Sequence, residues 1–128
     1  MATLTYLDTH VVAWLFAGQT DLLPKAILQF VEHERLLISP MVELELQYLF
    51  ELGRTTEPAS TVVQTLERQI GLEKCTLPFP QVVTTALDED WTRDPFDRMI
   101  TAQARIRNSG LLTKDETILK NYEHAIWA

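Results

Sequence analysis

Arg93-Asp94-Pro95-Phe96-Asp97-Arg98 sets two acids and two arginines directly ahead of an apolar-periodic run, Met99 to Ile106. Asp94 followed by Pro95 reads as a helix start: aspartate at the N-cap, proline at the first helical position, and Asp97 at the third. Both acids can serve that start by capping free N–H groups and complementing the helix dipole. For Asp97 a second role is open. One turn on lie Ile100, Thr101 and Ala104, the small and apolar side of the helix, so its carboxylate is held toward the interior. A carboxylate in that position needs a neutralising partner.

The chain around this stretch has 128 residues, 46% of them hydrophobic and 23% charged. That is ordinary for a globular protein and suits a single domain, expected over residues 1–128. Cys75 is the only cysteine, which excludes an internal disulfide and fits a reducing compartment. His10, His33 and His124 lack zinc-site spacing. Asp8 and His10 interrupt the first apolar run before a signal peptide could form. No apolar stretch reaches the roughly 18 residues that a membrane span needs, so the expected location is cytoplasmic, with no membrane partner.

The formal charge of −7 is unfavourable for a nucleic-acid binder, whose affinity rests on cations neutralising phosphates. Distribution softens this, because six of the eleven basic residues (Arg93, Arg98, Arg105, Arg107, Lys114, Lys120) fall between positions 93 and 120. A bound divalent metal would also reverse the local field around clustered acids.

Thr3 to Leu7 reads as a short buried strand ending at Asp8, followed by a helix from about His10 to Phe16 that Gly18 stops. Pro24 to Glu34 reads as a second helix and Leu36-Leu37-Ile38 as a second strand. Ser39 and Pro40 open a helix through Leu52, and Pro58 opens another that ends at Gly71. Lys74 to Leu77 is a weak strand, Pro80 to Leu87 a helix, and Asp88 to Thr92 an acidic loop. After the helix at 95–107 come a turn, a strand at Leu111-Leu112-Thr113, a short helix from Lys114-Asp115-Glu116 and a final edge strand, Ala125-Ile126-Trp127. Short apolar strands alternating with helices imply an α/β fold whose parallel sheet is covered on both faces. In such sheets the working site lies beyond the carboxyl ends of the strands. Asp8 and Asp115 each follow a strand and so share that rim.

Helical phase separates the acids of the helix after Ser39. Glu43 lies in a polar row with Gln47, Glu51 and Arg54, whereas Glu45 interrupts an apolar line of Met41, Tyr48, Leu49 and Leu52. Glu45 either snorkels to water at a boundary or points at the rim of Asp8 and Asp115. The collected set is Asp8, Glu45, Asp97 and Asp115, with Asp94 as a possible fifth. Two such charges at ~4 Å repel by about 4 kcal/mol at an effective dielectric near 20. Hard divalent cations relieve that repulsion, because magnesium prefers oxygen ligands and keeps several waters. An open acidic magnesium or manganese site suits phosphoryl chemistry.

With these residues in hand, the chain resembles the PIN-domain nucleases, and among them the VapC-like toxins of bacterial toxin–antitoxin pairs. The match runs over nearly the whole chain. Tyr6-Leu7-Asp8-Thr9-His10 is similar to the opening strand and first acid, and Ile38-Ser39 through Glu45-Leu46 to the second acid. Arg93 to Arg98, continuing to Ala102-Gln103-Ala104, carries the most specific likeness, and Leu112-Thr113-Lys114-Asp115-Glu116 resembles the closing motif. The resemblance implies a three-layer α/β/α fold around a mostly parallel, short-stranded sheet. It implies an acidic site for one or two magnesium ions, with manganese able to substitute, and endonucleolytic cleavage of RNA. By position it assigns Asp8, Glu45, Asp97 and Asp115 to catalysis and metal binding, with Asp94 shared by one subgroup. Thr9 and Thr113 become supporting hydroxyls, and Arg93 and Arg98 are candidates for positioning substrate phosphate. A homodimer and a small antitoxin that blocks the site complete the expectation.

Two phosphoryl-transfer folds with an aspartate after the first strand fit less well. A haloacid-dehalogenase-type phosphatase needs an acid where His10 stands, and a receiver domain needs adjacent acids where Asp8 stands alone. A DNA nuclease on the same scaffold and a non-catalytic protein-binding module stay open as alternatives.

Overall fold

A computed structural model describes residues 3–128. The elements in chain order are β1 (Leu4–Leu7), α1 (Thr9–Phe16), a 3-10 turn (Thr20–Leu22), α2 (Lys25–His33), β2 (Arg35–Ile38) and α3 (Pro40–Glu51). They continue with α4 (Ala59–Ile70), β3 (Glu73–Lys74), α5 (Phe79–Ala86), α6 (Pro95–Ile106), β4 (Gly110–Leu112), α7 (Glu116–Asn121) and β5 (Ala125–Ile126). The five strands pair in parallel in the order β3-β2-β1-β4-β5. Helices flank this sheet in a three-layer α/β/α arrangement.

The burial of β1 explains the layering. Tyr6 and Leu7 are consecutive and so project to opposite faces, yet both are fully buried. Both faces are therefore covered, as parallel sheets require. Leu36, Leu37 and Ile38 of β2 and Leu111 and Leu112 of β4 repeat the pattern, which is why these strands read as unbroken apolar runs rather than alternating ones.

The expected elements are all present, with shifts at their ends. β3 is two residues, not four. Cys75 adds one more bond to the ladder, from its N–H to the Ile38 carbonyl at 2.8 Å, before Pro78 takes the N-cap of α5. That helix consequently starts at Phe79, ahead of the expected Pro80. The 3-10 turn at Thr20–Leu22 carries no side-chain cap and no buried residue, and it lacked a signal in the sequence.

The stretch Asp88–Thr92 is the acidic loop expected, with Asp88 and Asp90 exposed, but it is pinned at Glu89. Glu89 is 2% exposed. Its carboxylate accepts from Arg105 through Nε and, at 3.2 Å, Nη2, and from Trp91 Nε1 at 2.6 Å. Arg98 Nε also donates to the Thr92 carbonyl at 2.9 Å. Both arginines belong to α6, so this loop and the helix it feeds move as one piece.

Removing a partner from a buried pair leaves an uncompensated charge, whereas an exposed pair is worth little. Arg105→Ala should therefore lower the unfolding free energy by about 3 kcal/mol, the low end of the range for buried pairs because the arginine itself is partly exposed. Arg35→Ala removes the bidentate but exposed Arg35–Glu73 bridge and should cost far less than Arg105→Ala, because solvent screens the pair. Urea denaturation of both variants checks this; equal losses would contradict it.

Candidate active site

The strand order reverses beside β1: β2 and β3 lie on one side of it, β4 and β5 on the other. Open parallel sheets form a crevice outside the carboxyl ends of the strands at such a reversal. β1 delivers Asp8 to this point and β4 delivers Thr113 and Asp115. The Asp8 N–H donates to the Leu112 carbonyl at 3.0 Å, which ties the two strand ends together.

Three of the five acids at this rim are helix N-caps. Asp8 caps α1 by accepting from Thr9 N–H at 2.8 Å. Asp94 caps α6, its Oδ1 accepting from Phe96 N–H at 2.8 Å and Asp97 N–H at 3.2 Å. Asp115 caps α7, its Oδ1 accepting from Thr117 N–H at 2.8 Å and Ile118 N–H at 3.0 Å. In Asp94 and Asp115 the Oδ2 atom accepts no hydrogen bond among the described residues. The capping and site readings of Asp94 are thus compatible, since one oxygen serves each.

Two threonines organise the rest. Thr113, fully buried, donates its hydroxyl to Asp8 Oδ2 at 2.6 Å and accepts from Asp115 N–H at 3.0 Å. One side chain thereby sets the spacing of two acids that are far apart in sequence. The Thr9 hydroxyl donates to Glu45 Oε1 and links α1 to α3. The structure corrects the reason for Glu45's placement. The buried residues of α3 are Val42 and Leu46, while Tyr48 and Leu52 on the line of Glu45 are each 51% exposed. Glu45 therefore interrupts a line that is exposed at Tyr48 and Leu52 and half-buried at Met41 and Leu49, and its carboxylate reaches the Thr9 hydroxyl at the rim.

Asp97, half-buried on α6, accepts no side-chain hydrogen bond among the described residues. Burial pushes its carboxyl up to about 7, and the charges of Asp94, Asp8, Asp115 and Glu45 add to the push. Burial likewise raises Asp8, against the opposing donors Thr113 and Thr9. Glu45 is raised by burial, lowered by the Thr9 hydroxyl and raised again by Asp8 and Asp94. The five acids thus share one electrostatic neighbourhood, and no lysine or arginine ranks among the main influences on these three.

The donors are carboxylate and hydroxyl oxygens, which fit a hard divalent cation. Among the described residues, no three acid, histidine or cysteine side chains close around a single point tightly enough to hold an ion unaided. The set fits an ion that keeps part of its water shell, as magnesium does.

Arg93 and Arg98, expected near substrate phosphate, both bond loop carbonyls: Arg93 Nη1 reaches Asp90 at 3.0 Å and Arg98 Nε reaches Thr92 at 2.9 Å. Three residues beside the acids had not been singled out. His10, Trp14 and Lys114 line a cleft of about 310 Å3 whose other wall is Asp8 and Asp115. The spacing of His10 and Trp14, four apart on α1, was the available signal. A second groove of about 320 Å3 leads from His10 and Trp14 between Phe16 and Leu49 toward Arg54.

The sequence profile described as PIN domain matches residues 5–124. The chain belongs to the PIN domain family. PIN domains are nucleases, and the match takes in all five rim acids. Solved structures share the fold. The VapBC2 complex of Rickettsia felis, bound to a promoter DNA fragment, superposes with a TM-score of 0.65 at 17% identity, covering 98% of this chain and 100% of that one. VapBC-1 of nontypeable Haemophilus influenzae gives 0.64 at 16% identity, over 98% and 97%. A toxin–antitoxin complex from Klebsiella pneumoniae gives 0.59 at 12%, over 95% of each. No curated relative matches the chain at significance. Among the described residues, no helix of this PIN domain is long and apolar enough to cross a membrane.

The raised carboxyl of Asp97 has a sign that can be measured. Its folded value near 7 lies above the ordinary 3.8, so the native state holds this proton more tightly than the unfolded chain does. Its stabilisation is complete in acid and is lost as pH rises through the folded value. In chelator, the melting temperature should fall between about pH 5 and pH 8, and Asp97→Asn should remove part of that slope. A melting temperature that rises over this interval, or a slope that Asp97→Asn leaves untouched, would contradict the geometry.

Proposed function

We propose that this PIN domain is a magnesium-dependent endoribonuclease and the toxin of a toxin–antitoxin pair, acting in the cytoplasm. The observation that carries the reading is Asp97: a half-buried carboxylate with no hydrogen-bond donor among the described residues, pushed upward by its burial and by four other acids. Such a group is a poor structural device and a good ligand.

Asp8 and Asp97 would hold the ion, with Asp115 and Glu45 ligating directly or through water and the free oxygen of Asp94 within the same group. When bound, magnesium, or manganese in its place, supplies Lewis-acid polarisation of a phosphate oxygen and a water of lowered pKa for in-line attack. The chain's own contribution is positioning. Thr113 holds Asp8 and the Asp115 backbone in register, and Thr9 holds Glu45. The N-terminal ends of α1, α6 and α7 place their partial positive charge behind Asp8, Asp94 and Asp115 and so complement those carboxylates. Arg93 and Arg98 retain further N–H groups for phosphate.

Two surfaces support the partners. Leu44, Tyr48, Leu52 and Phe79 are all more than half exposed, and Leu44 and Phe79 flank a mostly apolar groove of about 260 Å3. Exposed apolar area of this kind marks an interface, and we assign it to a homodimer. The groove from Trp14 toward Arg54 opens beside the acids, where a small antitoxin would cover both. The solved relatives of this fold include toxin–antitoxin complexes, which favours that assignment.

Incubation of the pure protein with labelled single-stranded RNA and DNA, with magnesium, with manganese and with chelator, tests the reading. RNA should be cut only with metal. Asp8→Asn and Asp97→Asn should fold and lose more than ~100-fold in rate. Cleavage retained by both variants would dismiss the metal site, and equal cutting of DNA would dismiss the sugar preference.

A further inference from the structure

The acidic rim leaves a question about its own substrate. A chain of charge −7 that gathers carboxylates at its site repels a polyanion, and a metal ion neutralises only the reacting phosphate. Some other group must hold the flanking nucleotides.

We propose that Trp14 is the platform on which an unpaired nucleobase stacks, one nucleotide from the phosphate held at the acids. This rests on the nuclease reading and adds to it the form of the substrate: single-stranded, with a splayed base. Trp14 lies on α1 and lines the cleft of about 310 Å3 that Asp8 and Asp115 complete. Its indole is half-buried, and neighbours fix it. The Trp127 ring, just past β5, sits 5.9 Å away at an interplanar angle of 54°. The exposed His10 ring lies 6.0 Å away at 46°.

Lys114 supplies the charge. It is exposed, forms no salt bridge among the described residues, and places Nζ 5.9 Å from the centre of the Trp14 ring. It stands between Thr113 and Asp115, in a chain rich in acids, yet it is directed to an aromatic face beside the site. An indole serving only the core would not also wall a cleft shared with two rim acids and a lysine. An aromatic surface with a mobile-stemmed cation above it is a combination that suits single strands, because every base offers a π-face and every nucleotide a phosphate. A duplex offers no free base face, so a splayed single strand is the ligand that this cleft selects.

The test is binding, read apart from cleavage. Fluorescence anisotropy of end-labelled RNA octamers is measured in calcium, with RNA integrity verified on a gel, and an abasic nucleotide is placed at each position in turn. The wild-type chain should show one position where the missing base weakens binding by about 5- to 150-fold. Trp14→Leu should lose a similar factor and become indifferent to that position, while Trp14→Phe keeps most of the affinity. Lys114→Gln should reduce the salt dependence by about one phosphate contact. If Trp14→Leu fails to fold, the abasic profile of Trp14→Phe and quenching of wild-type tryptophan fluorescence by the intact octamer decide instead.

An abasic profile identical in wild type and Trp14→Leu would overturn the platform. So would equal affinity for a duplex, or no binding of the octamer at all. Loss of a co-expressed protein partner by Trp14→Leu, with RNA binding intact, would assign the cleft to protein and overturn it too. Metal-dependent cleavage that survives while the abasic profile stays flat removes the platform alone. Octamer binding with the predicted profile but without cleavage removes the nuclease reading alone.

Discussion

Mutual repulsion among carboxylates is the constraint around which this molecule is built. Asp8, Glu45, Asp94, Asp97 and Asp115 come from four helices and from positions spread across the chain, and among the described residues no salt bridge pairs any of them with a basic side chain. The fold tolerates this through helix ends. Asp8, Asp94 and Asp115 are each the N-cap of a helix, so backbone N–H groups and the positive end of the dipole offset part of each charge. Asp97, in the first turn of α6, accepts no hydrogen bond on its side chain among the described residues, and burial pushes Asp8, Glu45 and Asp97 all upward. These three acids are where the proposed cation would act.

The parallel sheet makes the convergence possible. Every strand of a parallel sheet ends on the same rim, and every following helix begins there, so N-caps accumulate at one edge. The reversal of strand order between β1 and β4 opens a crevice at that edge. Thr113 bridges the two strand ends by donating to Asp8 and accepting from Asp115 N–H. The pinned loop at Glu89 performs the equivalent task for α6: Arg105 and Arg98 fasten the segment that aims Asp94 and Asp97. Buried polar contacts of this sort rigidify when every member is satisfied, and here they hold the acids in place while Oδ2 of Asp94 and of Asp115 accepts no hydrogen bond among the described residues.

Much of this was legible in the residues. Asp94-Pro95 announced its helix because aspartate and proline have fixed uses at a helix start, and the unbroken apolar runs at β1, β2 and β4 announced a sheet covered twice. Asp8, Asp94 and Asp115 were readable because each follows a strand or opens a helix. Glu45 was found for an incomplete reason: helical phase showed that it broke an apolar line, but phase cannot say whether such a line faces the core or the solvent. Glu89 was invisible because its burial depends on Arg105, sixteen residues on, and nothing local marks an acid in a loop as paired. His10, Trp14 and Lys114 carry no sign of a shared role in the sequence because their common cleft exists only once β4 lies beside β1.

The PIN-domain assignment rests on a profile that spans the five acids; what the chain does with them depends on whether they bind a cation together. Manganese binding followed by electron paramagnetic resonance at neutral pH measures this directly. The account predicts that the wild-type chain takes up manganese with saturation, that magnesium displaces it, and that Asp97→Asn and Asp8→Asn each abolish the bound signal while remaining folded. Undiminished binding in both variants, or none in the wild type at millimolar metal, would contradict it.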